Sequence, residues 1–398
     1  MMKLSDMASK VSASTTLAID AMAKEMRAKG QDVIGFGAGE PDFNTPDNIV
    51  NAAITALHEG QTKYTPSAGI IPLRQAVCER LRADCGLNYD FSQITIASGA
   101  KHSIYIALMA LLNPGDEVIL PAPYWVSYCE MIKMAGGVPV IIDGSTAADF
   151  KITAEQLNKA VTKRTKLFLI NNPSNPTGML YSKDELIPLL DVCVKHDLFI
   201  LADEIYYNLV YDNREFVSVP SLGDDIKERT ILINGVSKSY AMTGWRIGYA
   251  AASHKISKIM SNFLSHSTGA PATMAQYAAA EALSGNQDSI ARMRALFEER
   301  RNYIVDRINK IDGVSCIKPD GAFYIMMNIN EIKGRSVKGK VIQNGDDFAM
   351  SLLEDAKVAV VPCSGFGAPD FVRLTYAASM ENIKDGIDRI EKFLSEVV

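Results

Sequence analysis

Short apolar runs alternate with longer amphipathic segments over most of the 398-residue chain. The amphipathic segments, such as residues 101–112 and 183–196, repeat apolar residues at the spacing of a helix. Several of the short runs are continuously apolar, which is typical of strands covered on both faces. The runs span residues 94–97, 117–120, 138–143, 166–170, 198–203, 230–234 and 246–251. This alternation predicts an α/β fold with a mostly parallel seven-stranded sheet flanked by helices.

The pattern changes after about residue 285. A long charged helical stretch covers residues 289–311, and more alternating strand patterns follow at 321–329 and 358–363. These features predict a second, smaller α+β domain. A helix is also predicted at residues 15–30, and we expect this N-terminal segment to pack with the C-terminal domain. The predicted boundaries give a large domain over 46–288 and a small domain over 1–45 with 289–398.

Composition and charge narrow the classes of partner. Hydrophobic residues make up 47% of the chain and charged residues 22%, the profile of an ordinary soluble globular protein. A net charge of -5 without a basic block argues against nucleic acid or an anionic membrane as the main partner. The N-terminus lacks the apolar core of a signal peptide, and no apolar run approaches the length of a membrane helix. Six scattered cysteines without metal-binding spacing fit free thiols in a reducing cytoplasm, and no metal site is predicted.

Polar and small residues follow the predicted strands, where ligands bind in an open parallel sheet. After residues 94–97 comes Ser98-Gly99-Ala100-Lys101, which starts a helix and can expose backbone N–H groups to an anion. After residues 166–170 comes "NNPSNPTG", a rigid loop that can aim Asn175. Each signal alone is weak, because many strand–helix turns and proline turns look the same.

Two further strand ends carry ionisable residues. Asp203 ends one run and is followed by Tyr206, and Lys238 lies in "GVSKSYAMTGWRIG" after another. The structural alternatives are a helix-capping aspartate and a solvated loop lysine. A desolvated lysine has a lowered pKa and can form an imine with a carbonyl. Arg246, eight residues on, is a natural partner for a phosphate.

Pyridoxal phosphate is the cofactor that needs this set of groups. It needs a lysine for the imine, an anion site for the phosphate and a carboxylate for the pyridine nitrogen. A buried carboxylate raises the pKa of that nitrogen by charge attraction, and the protonated ring then withdraws electrons. Asn175 and Tyr206 can both donate to the phenolate oxygen of the ring. The sequence therefore predicts a pyridoxal phosphate enzyme.

The chain resembles the aspartate aminotransferase family, the fold-type-I pyridoxal phosphate enzymes. The likeness extends from about residue 10 to residue 380, and it is closest to the bacterial subgroup of aspartate and prephenate aminotransferases. The motifs that carry it are "GAGEPDF", "KYTPSAGI", "NPSNPTG", "ADEIY" and "GVSKSYAMTGWRIGY". The lysine motif and the asparagine–proline loop are highly specific together.

The resemblance implies roles around the cofactor ring. Lys238 holds the cofactor as an imine and later moves the proton, and Asp203 pairs with the ring nitrogen. Asn175 and Tyr206 hold the phenolate oxygen. Trp125, in "APYWVSY", stacks on the ring.

The resemblance also implies a phosphate site that spans two subunits. Tyr64, in "KYTPSAG", is similar to the tyrosine that reaches the phosphate of the neighbouring subunit, so a homodimer with shared active sites is expected. Some family members have a serine three residues before the lysine; this chain has Gly235 there, and Ser237 is assigned only weakly. The remaining phosphate residues are Gly99, Ala100, Lys101 and Arg246.

For the substrate, the resemblance assigns Arg373 to the α-carboxylate as a two-point fork. Gly39 offers its backbone to the same carboxylate, and Trp125 and Asn175 also line the substrate site. Lys101 and Thr16 stand where the subgroup binds a distal carboxylate. This favours L-aspartate and L-glutamate with oxaloacetate and 2-oxoglutarate. An aromatic substrate or prephenate is the alternative, because related enzymes use the same pair.

Transamination is the expected reaction. An arginine that fixes the α-carboxylate disfavours decarboxylation, and the whole-chain likeness favours amino transfer over elimination. The alternatives are a carbon–sulfur lyase on the same fold and a non-catalytic pyridoxal phosphate-binding regulator. No appended DNA-binding module is visible to support the regulator, and a purely structural role leaves the cluster of site residues unexplained.

Overall fold

The computed structural model describes residues 5, 9, 11, 12, 15–144, 146 and 149–398 of the protein. None of the helices in this part of the chain is long and apolar enough to cross a lipid bilayer. The helices are α1 (Thr15–Ala28), α2 (Asp47–His58), α3 (Ile71–Cys85), α4 (Ala100–Leu111), α5 (Ser127–Met134), α6 (Ala154–Ala160), α7 (Lys183–Lys195), α8 (Asp224–Arg229), α9 (His254–His266), α10 (Thr273–Ser284), α11 (Asp288–Ile308), α12 (Gly345–Ala356) and α13 (Met380–Ser395).

The strands belong to one large sheet and several smaller ones. The strands are β1 (Ile34–Gly35), β2 (Ile94–Ala97), β3 (Glu117–Ala122), β4 (Val138–Asp143), β5 (Thr165–Asn171), β6 (Phe199–Asp203), β7 (Thr230–Gly235), β8 (Gly248–Ala251), β9 (Ser315–Cys316), β10 (Tyr324–Asn328), β11 (Ser336–Val337), β12 (Lys340–Val341), β13 (Val358–Ala359), β14 (Val361–Pro362) and β15 (Phe371–Thr375). The large sheet has seven strands in the order β2-β8-β7-β6-β5-β3-β4.

The predicted fold class is confirmed. Strands β3 to β7 pair in parallel, and β8 runs antiparallel to both β7 and β2. All seven apolar runs form strands of this sheet, with bounds within two residues of those predicted. The strand predicted at 246–251 begins two residues later, at Gly248, because Arg246 takes a left-handed conformation (φ 59°).

Strand β7 shows why the runs are continuously apolar. Ile231 and Ile233 pack on one face with Leu108 of α4 and Met260 of α9. Leu232 points the opposite way and joins a separate cluster around α3 and α10. Because helices cover both faces of the sheet, the side chains of this strand are buried on both sides and none faces water.

The C-terminal part forms a four-stranded sheet in the order β14-β15-β10-β9. Helices α11, α12 and α13 cover it, and their apolar residues share a cluster with Val372 and Leu374 of β15. The prediction of a single strand at 358–363 is wrong. The segment forms two short strands, because β13 pairs in parallel with β1 whereas β14 pairs antiparallel with β15.

The N-terminal segment packs with the C-terminal part, as expected. Strand β1 pairs with β13, and Ile19, Ala23 and Val33 share a cluster with Leu353 and Ala359. This packing carries α1 to the edge of the large sheet, where it contributes side chains to the cavity described next. The domain boundaries at 45/46 and 288/289 stay a prediction.

Candidate active site

A cavity of about 560 Å³ opens at the carboxyl edge of the large sheet, between that sheet and the C-terminal part. Its volume is within the range of small-molecule sites. Most of the residues predicted from the sequence line it, namely Gly39, Ala100, Lys101, Trp125, Asn175, Asp203, Tyr206, Ser237, Lys238, Arg246 and Arg373. They converge because the ends of β3, β5, β6 and β7 meet at the same edge.

Lys238 is half-buried and lies three residues beyond the end of β7. Burial lowers the pKa of its amine to about 8, and the charges of Arg373 and Arg246 act in the same direction while Glu40 opposes them. The ammonium donates to the carbonyl oxygen of Gly39. A lysine with a pKa near 8 has a substantial neutral fraction, so it can act as a nucleophile at near-neutral pH.

Asp203 is 3% exposed at the end of β6. Burial raises the pKa of its carboxyl group to about 6, and two hydrogen bonds to the ionised form oppose that rise. Tyr128 donates its hydroxyl to Oδ2 at 2.7 Å, and the backbone N–H of Ile205 donates to Oδ1 at 3.2 Å. A cationic partner in the cavity would therefore stabilise the carboxylate strongly.

An anion cradle lies at the start of α4. Gly99 caps this helix with φ 87°, and a Cβ atom there would collide with the guanidinium of Arg246. Arg246 donates to the carbonyl oxygens of Thr243 at 2.8 Å and Ser98 at 3.3 Å. The first N–H groups of a helix have no intrahelical partner. A fixed cation beside free N–H groups can hold a phosphate.

Lys101 and Trp125 form the adjoining wall. The Lys101 amine lies 4.9 Å from the centre of the Trp125 ring, and that ring meets Tyr128 edge-on at 5.3 Å between ring centres. Burial and the charge of Arg246 lower the pKa of Lys101. Lys101 therefore places a positive charge at the same wall as an aromatic ring that can stack on a planar ligand.

Arg373 is a buried cation on β15, only 3% exposed. It donates to Oδ1 of Asn175 at 3.1 Å and to the carbonyl oxygen of Gly37 at 2.9 Å. Its Nε has no hydrogen-bond partner among the described residues, and no carboxylate of the described part pairs with it. A buried charge without a counter-ion is costly, so this site is suited to an anionic ligand.

Asn175 and Tyr206 are both buried at the cavity wall. The backbone N–H of Asn175 donates to Oδ1 of Asn171 at 2.7 Å, which fixes the loop predicted to aim its side chain. The hydroxyl of Tyr206 lies 2.9 Å from that of Tyr324. Both side chains can present hydrogen atoms to an oxygen in the cavity.

These residues fit pyridoxal phosphate. A buried carboxylate with a raised pKa suits a protonated pyridine nitrogen, and a lysine of lowered pKa suits an imine. The cradle at Gly99, which a Cβ would fill, suits the phosphate. The residues that would hold the cofactor are Gly99, Ala100, Lys101, Trp125, Asn175, Asp203, Tyr206, Ser237, Lys238 and Arg246.

Among the described residues, two predicted ones are absent from the cavity lining, namely Gly99, which lies beside it in the anion cradle, and Tyr64. Tyr64 is fully exposed, so it contacts no other site residue, and its predicted role toward a neighbouring subunit stays a prediction. Thr16 lies in α1, but its side chain is outside the described part of the structure. Gly39 is at the cavity, where its carbonyl oxygen accepts from Lys238, a contact that the motif does not reveal.

Several lining residues were not predicted from the sequence. Tyr128 lies three residues after Trp125 in "APYWVSY", and the turn between them brings both to the cavity, so this short spacing was an available signal. Glu40, in "GAGEPDF", accepts from the hydroxyl of Thr243 at 2.7 Å. Tyr324 and Arg27 come from β10 and α1, whose approach to the sheet depends on packing between distant segments.

The comparisons with known proteins agree with this geometry. Residues 31–390 match the family model of aminotransferase class I and II. The aspartate aminotransferase of Geobacillus stearothermophilus is 50% identical over 393 residues, covering 99% of each chain. That of Bacillus subtilis is 48% identical over 395 residues, covering 99% of this chain and all of its own. The crystal structure of the Rhizobium meliloti aspartate aminotransferase superposes with a TM-score of 0.97 at 41% identity, with both chains fully covered.

A sheet edge that joins a lysine, a buried carboxylate and a phosphate cradle defines a pyridoxal phosphate enzyme of fold type I. The chain belongs to the class I and II aminotransferase family. It is an aminotransferase that depends on pyridoxal phosphate. The resemblance stated from the motifs is thereby confirmed, and so is amino transfer over the lyase and regulator alternatives.

Proposed function

We propose that the enzyme transfers the amino group of L-aspartate to 2-oxoglutarate, giving oxaloacetate and L-glutamate. The observation that carries this proposal is the buried Arg373, which has no counter-ion in the described structure, in a cavity that also presents Lys101. Both substrates are dicarboxylates. One carboxylate would neutralise Arg373 as a two-point fork, and the other would meet Lys101.

When bound, pyridoxal phosphate supplies an electron sink for the bond to the substrate's α-carbon. Asp203 holds the ring nitrogen protonated, because its buried carboxylate attracts the positive charge. Tyr128 and the N–H of Ile205 keep that carboxylate in place. Lys238 takes the proton from the α-carbon at Nζ and later returns it, for which a pKa of about 8 is well suited.

Substrate orientation comes from the fixed guanidinium. Asn175 and the carbonyl of Gly37 hold two of its nitrogens, so the group is positioned before any substrate binds. A fixed α-carboxylate places the α-carbon for proton transfer and keeps the carboxylate from being the group that is lost. The edge-on contact between Trp125 and Tyr128 holds the Trp125 ring, which limits the position of a planar ring bound against it.

The names of relatives support a dicarboxylate substrate. The aspartate aminotransferase of Thermus thermophilus, 38% identical, has been solved with maleate, a four-carbon dicarboxylate. The Cereibacter sphaeroides relative, 45% identical, is an aspartate/prephenate aminotransferase. Prephenate also carries two carboxylates, so the pair Arg373 and Lys101 suits it as well. Prephenate or an aromatic acid is thus the second candidate.

A half-reaction tests the proposal. The holoenzyme is mixed with one amino acid at a time, without a 2-oxoacid, and the absorption of the bound cofactor is followed. L-aspartate and L-glutamate should convert it at least about 10-fold faster than L-phenylalanine, L-asparagine or L-alanine. Adding 2-oxoglutarate should restore the starting spectrum. Fastest conversion by an aromatic amino acid would overturn the aspartate assignment, and Lys238→Ala serves as the variant that should not convert.

We further propose a homodimer in which Tyr64 of each chain completes the other chain's phosphate site. The full exposure of this large side chain supports the proposal, since a dimer would cover it. We also propose a cytoplasmic location. It is supported by six cysteines that are all free thiols, as is typical of a reducing compartment.

A further inference from the structure

Two buried tyrosine hydroxyls face each other at the back of the cavity. The oxygen of Tyr324, on β10, lies 2.9 Å from that of Tyr206, which follows β6. The two side chains are 1% and 3% exposed, so water does not compete readily for this bond. Their rings meet edge-on at 5.8 Å between centres, which fixes both hydroxyls. The contact joins the small sheet to the large one.

Tyr324 also touches the carboxylate-binding arginine. The guanidinium carbon of Arg373 lies 4.4 Å from the centre of the Tyr324 ring. The strands that carry them, β10 and β15, pair antiparallel, with Met326 opposite Arg373. Tyr324 therefore lies between the residue expected to bind the substrate's carboxylate and the residue expected to bind the cofactor's phenolate oxygen.

The direction of the hydroxyl bond has a chemical consequence. A tyrosine hydroxyl has one hydrogen to donate. If Tyr206 donates to Tyr324, that hydrogen is turned away from the cavity. If Tyr324 donates to Tyr206, the hydrogen of Tyr206 stays available to an oxygen in the cavity, and its donation is strengthened cooperatively.

The charges around Tyr324 favour the second direction. The titratable and charged groups that face its hydroxyl are Tyr206, Arg373 and Glu40. Burial raises the pKa of Tyr324, while the positive charge of Arg373 opposes that rise and Glu40 adds to it. Burial raises the pKa of Tyr206 well above its ordinary value. Arg373 opposes that rise as well, but the Tyr324 hydroxyl and the Asp203 carboxylate add to it. The guanidinium of Arg373, 4.4 Å from the centre of the Tyr324 ring, thus makes the Tyr324 hydroxyl a stronger hydrogen-bond donor than it would be without this charge.

We propose that Tyr324 is a positioning residue: it donates to Tyr206, directs the hydrogen of Tyr206 into the cavity and weakens as a donor when a substrate carboxylate neutralises Arg373. This inference rests on the proposed function. It links occupation of the carboxylate site to the basicity of the cofactor. No step of proton transfer at the substrate is assigned to Tyr324.

Tyr324→Phe tests the proposal, because it keeps the ring against Arg373 and removes only the hydroxyl. The measurement is the apparent pKa of the pH-dependent absorption band of the bound cofactor. A weaker bond from Tyr206 makes the cofactor's oxygen more basic, so this pKa should rise by about half a unit, the equivalent of a modest hydrogen bond. Tyr376→Phe is the matched control: Tyr376 is in the same cluster, and its hydroxyl donates to the backbone carbonyls of Gly321 and Ala322 and interacts with Tyr211, none of which lines the cavity.

A double-mutant cycle distinguishes an effect transmitted through the Tyr324–Tyr206 hydrogen bond from a nonspecific loss of packing around Tyr324. In a Tyr206→Phe background, Tyr324→Phe should add no further shift, because the intermediate hydroxyl is gone. Saturation with maleate should raise the pKa by a smaller increment in Tyr324→Phe than in wild type. The proposal is overturned by an unchanged pKa in Tyr324→Phe, by an equal shift in Tyr376→Phe, by an additive cycle or by equal maleate increments. A wild-type holoenzyme whose cofactor band is not converted by L-aspartate would instead refute the proposed function.

Discussion

The hydroxyl of Tyr128 donates to the Asp203 carboxylate at 2.7 Å, with both groups almost fully buried. Burial raises the pKa of Asp203, and this hydrogen bond is the largest effect that opposes the rise. Together with the bond from the Ile205 N–H to Oδ1, this bond to Oδ2 fixes the orientation of the carboxylate. Tyr128 therefore keeps Asp203 both ionised and oriented.

Replacement of Tyr128 should show this effect in the pH dependence of activity. Tyr128→Phe removes one hydrogen bond to a charged group, so the pKa of Asp203 should rise by about one unit. Asp203 must be ionised to act, so stability of the active form is lost as the pH falls through this pKa. The acid limb of the kcat/KM profile should move to higher pH by a similar amount. Tyr105→Phe is a suitable control, since Tyr105 of α4 packs against Phe263 of α9. An unmoved acid limb in Tyr128→Phe would contradict the account.

Lys101 should determine the preference for dicarboxylates. Lys101→Met keeps the aliphatic stem beside Trp125 and removes the charge. Loss of a charged hydrogen bond predicts a fall in kcat/KM for L-aspartate of about 10- to 100-fold. L-phenylalanine and L-alanine, which lack the distal carboxylate, should change by less than about 3-fold. Lys133→Met, which removes a half-exposed lysine paired with Glu130, provides the control. An equal fall in kcat/KM for L-aspartate, L-phenylalanine and L-alanine would mean that Lys101 binds only the phosphate of the cofactor.

The lowered pKa of Lys238 predicts a pH-dependent stability of the cofactor-free protein. Burial lowers this pKa from 10.5 to about 8, so the unfolded chain binds the proton more readily than the folded one. The destabilisation is complete below pH 8 and fades as the pH rises toward 10.5. Lys238→Met should therefore be more stable than the wild-type apoprotein at pH 7, and its advantage should shrink by pH 10. Urea unfolding at the two pH values measures this, with the exposed Lys258→Met as the control; an advantage independent of pH would refute the assignment.

Most of the large sheet and its site could be predicted because both depend on local pattern. Continuous apolar runs identify strands covered on both faces, and the residue after such a run must lie at the ligand-binding edge. Asp203 and Lys238 were found in this way, and each lies at the cavity. The prediction of one strand at 358–363 was wrong, because the pairing of such short segments depends on strands far away in the chain. Here those strands are β1 and β15.

The unpredicted part of the site comes from contacts between segments far apart in the chain. Tyr206 and Tyr324 are separated by 118 residues, and only the packing of β10 against the turn after β6 brings their hydroxyls together. Arg27 reaches the cavity because β1 draws the N-terminal segment to β13. A pattern of apolar and polar residues indicates that such segments are buried, but it does not state which side chains meet.

Shared active sites predict recovery of activity in mixed dimers. Tyr64→Asp should be inactive, because a carboxylate in place of the phenol repels the phosphate, and Lys238→Ala lacks the reactive amine. After subunit exchange, a mixed dimer would have one site with both lesions and one with neither, so an equal mixture should regain about a quarter of wild-type activity. The exchange is monitored by native mass spectrometry. No recovery despite demonstrated exchange would mean that Tyr64 acts within its own subunit.

The covalent link between Lys238 and the cofactor is the central claim, and reduction followed by peptide mapping tests it most directly. The holoenzyme is treated with borohydride, digested and analysed by mass spectrometry, with Lys238→Ala treated in parallel. The account predicts that the mass of the reduced cofactor is found on the peptide that contains Lys238 and is absent from the variant. A cofactor attached to another lysine of the cavity, such as Lys101, or no attachment at all, would contradict it.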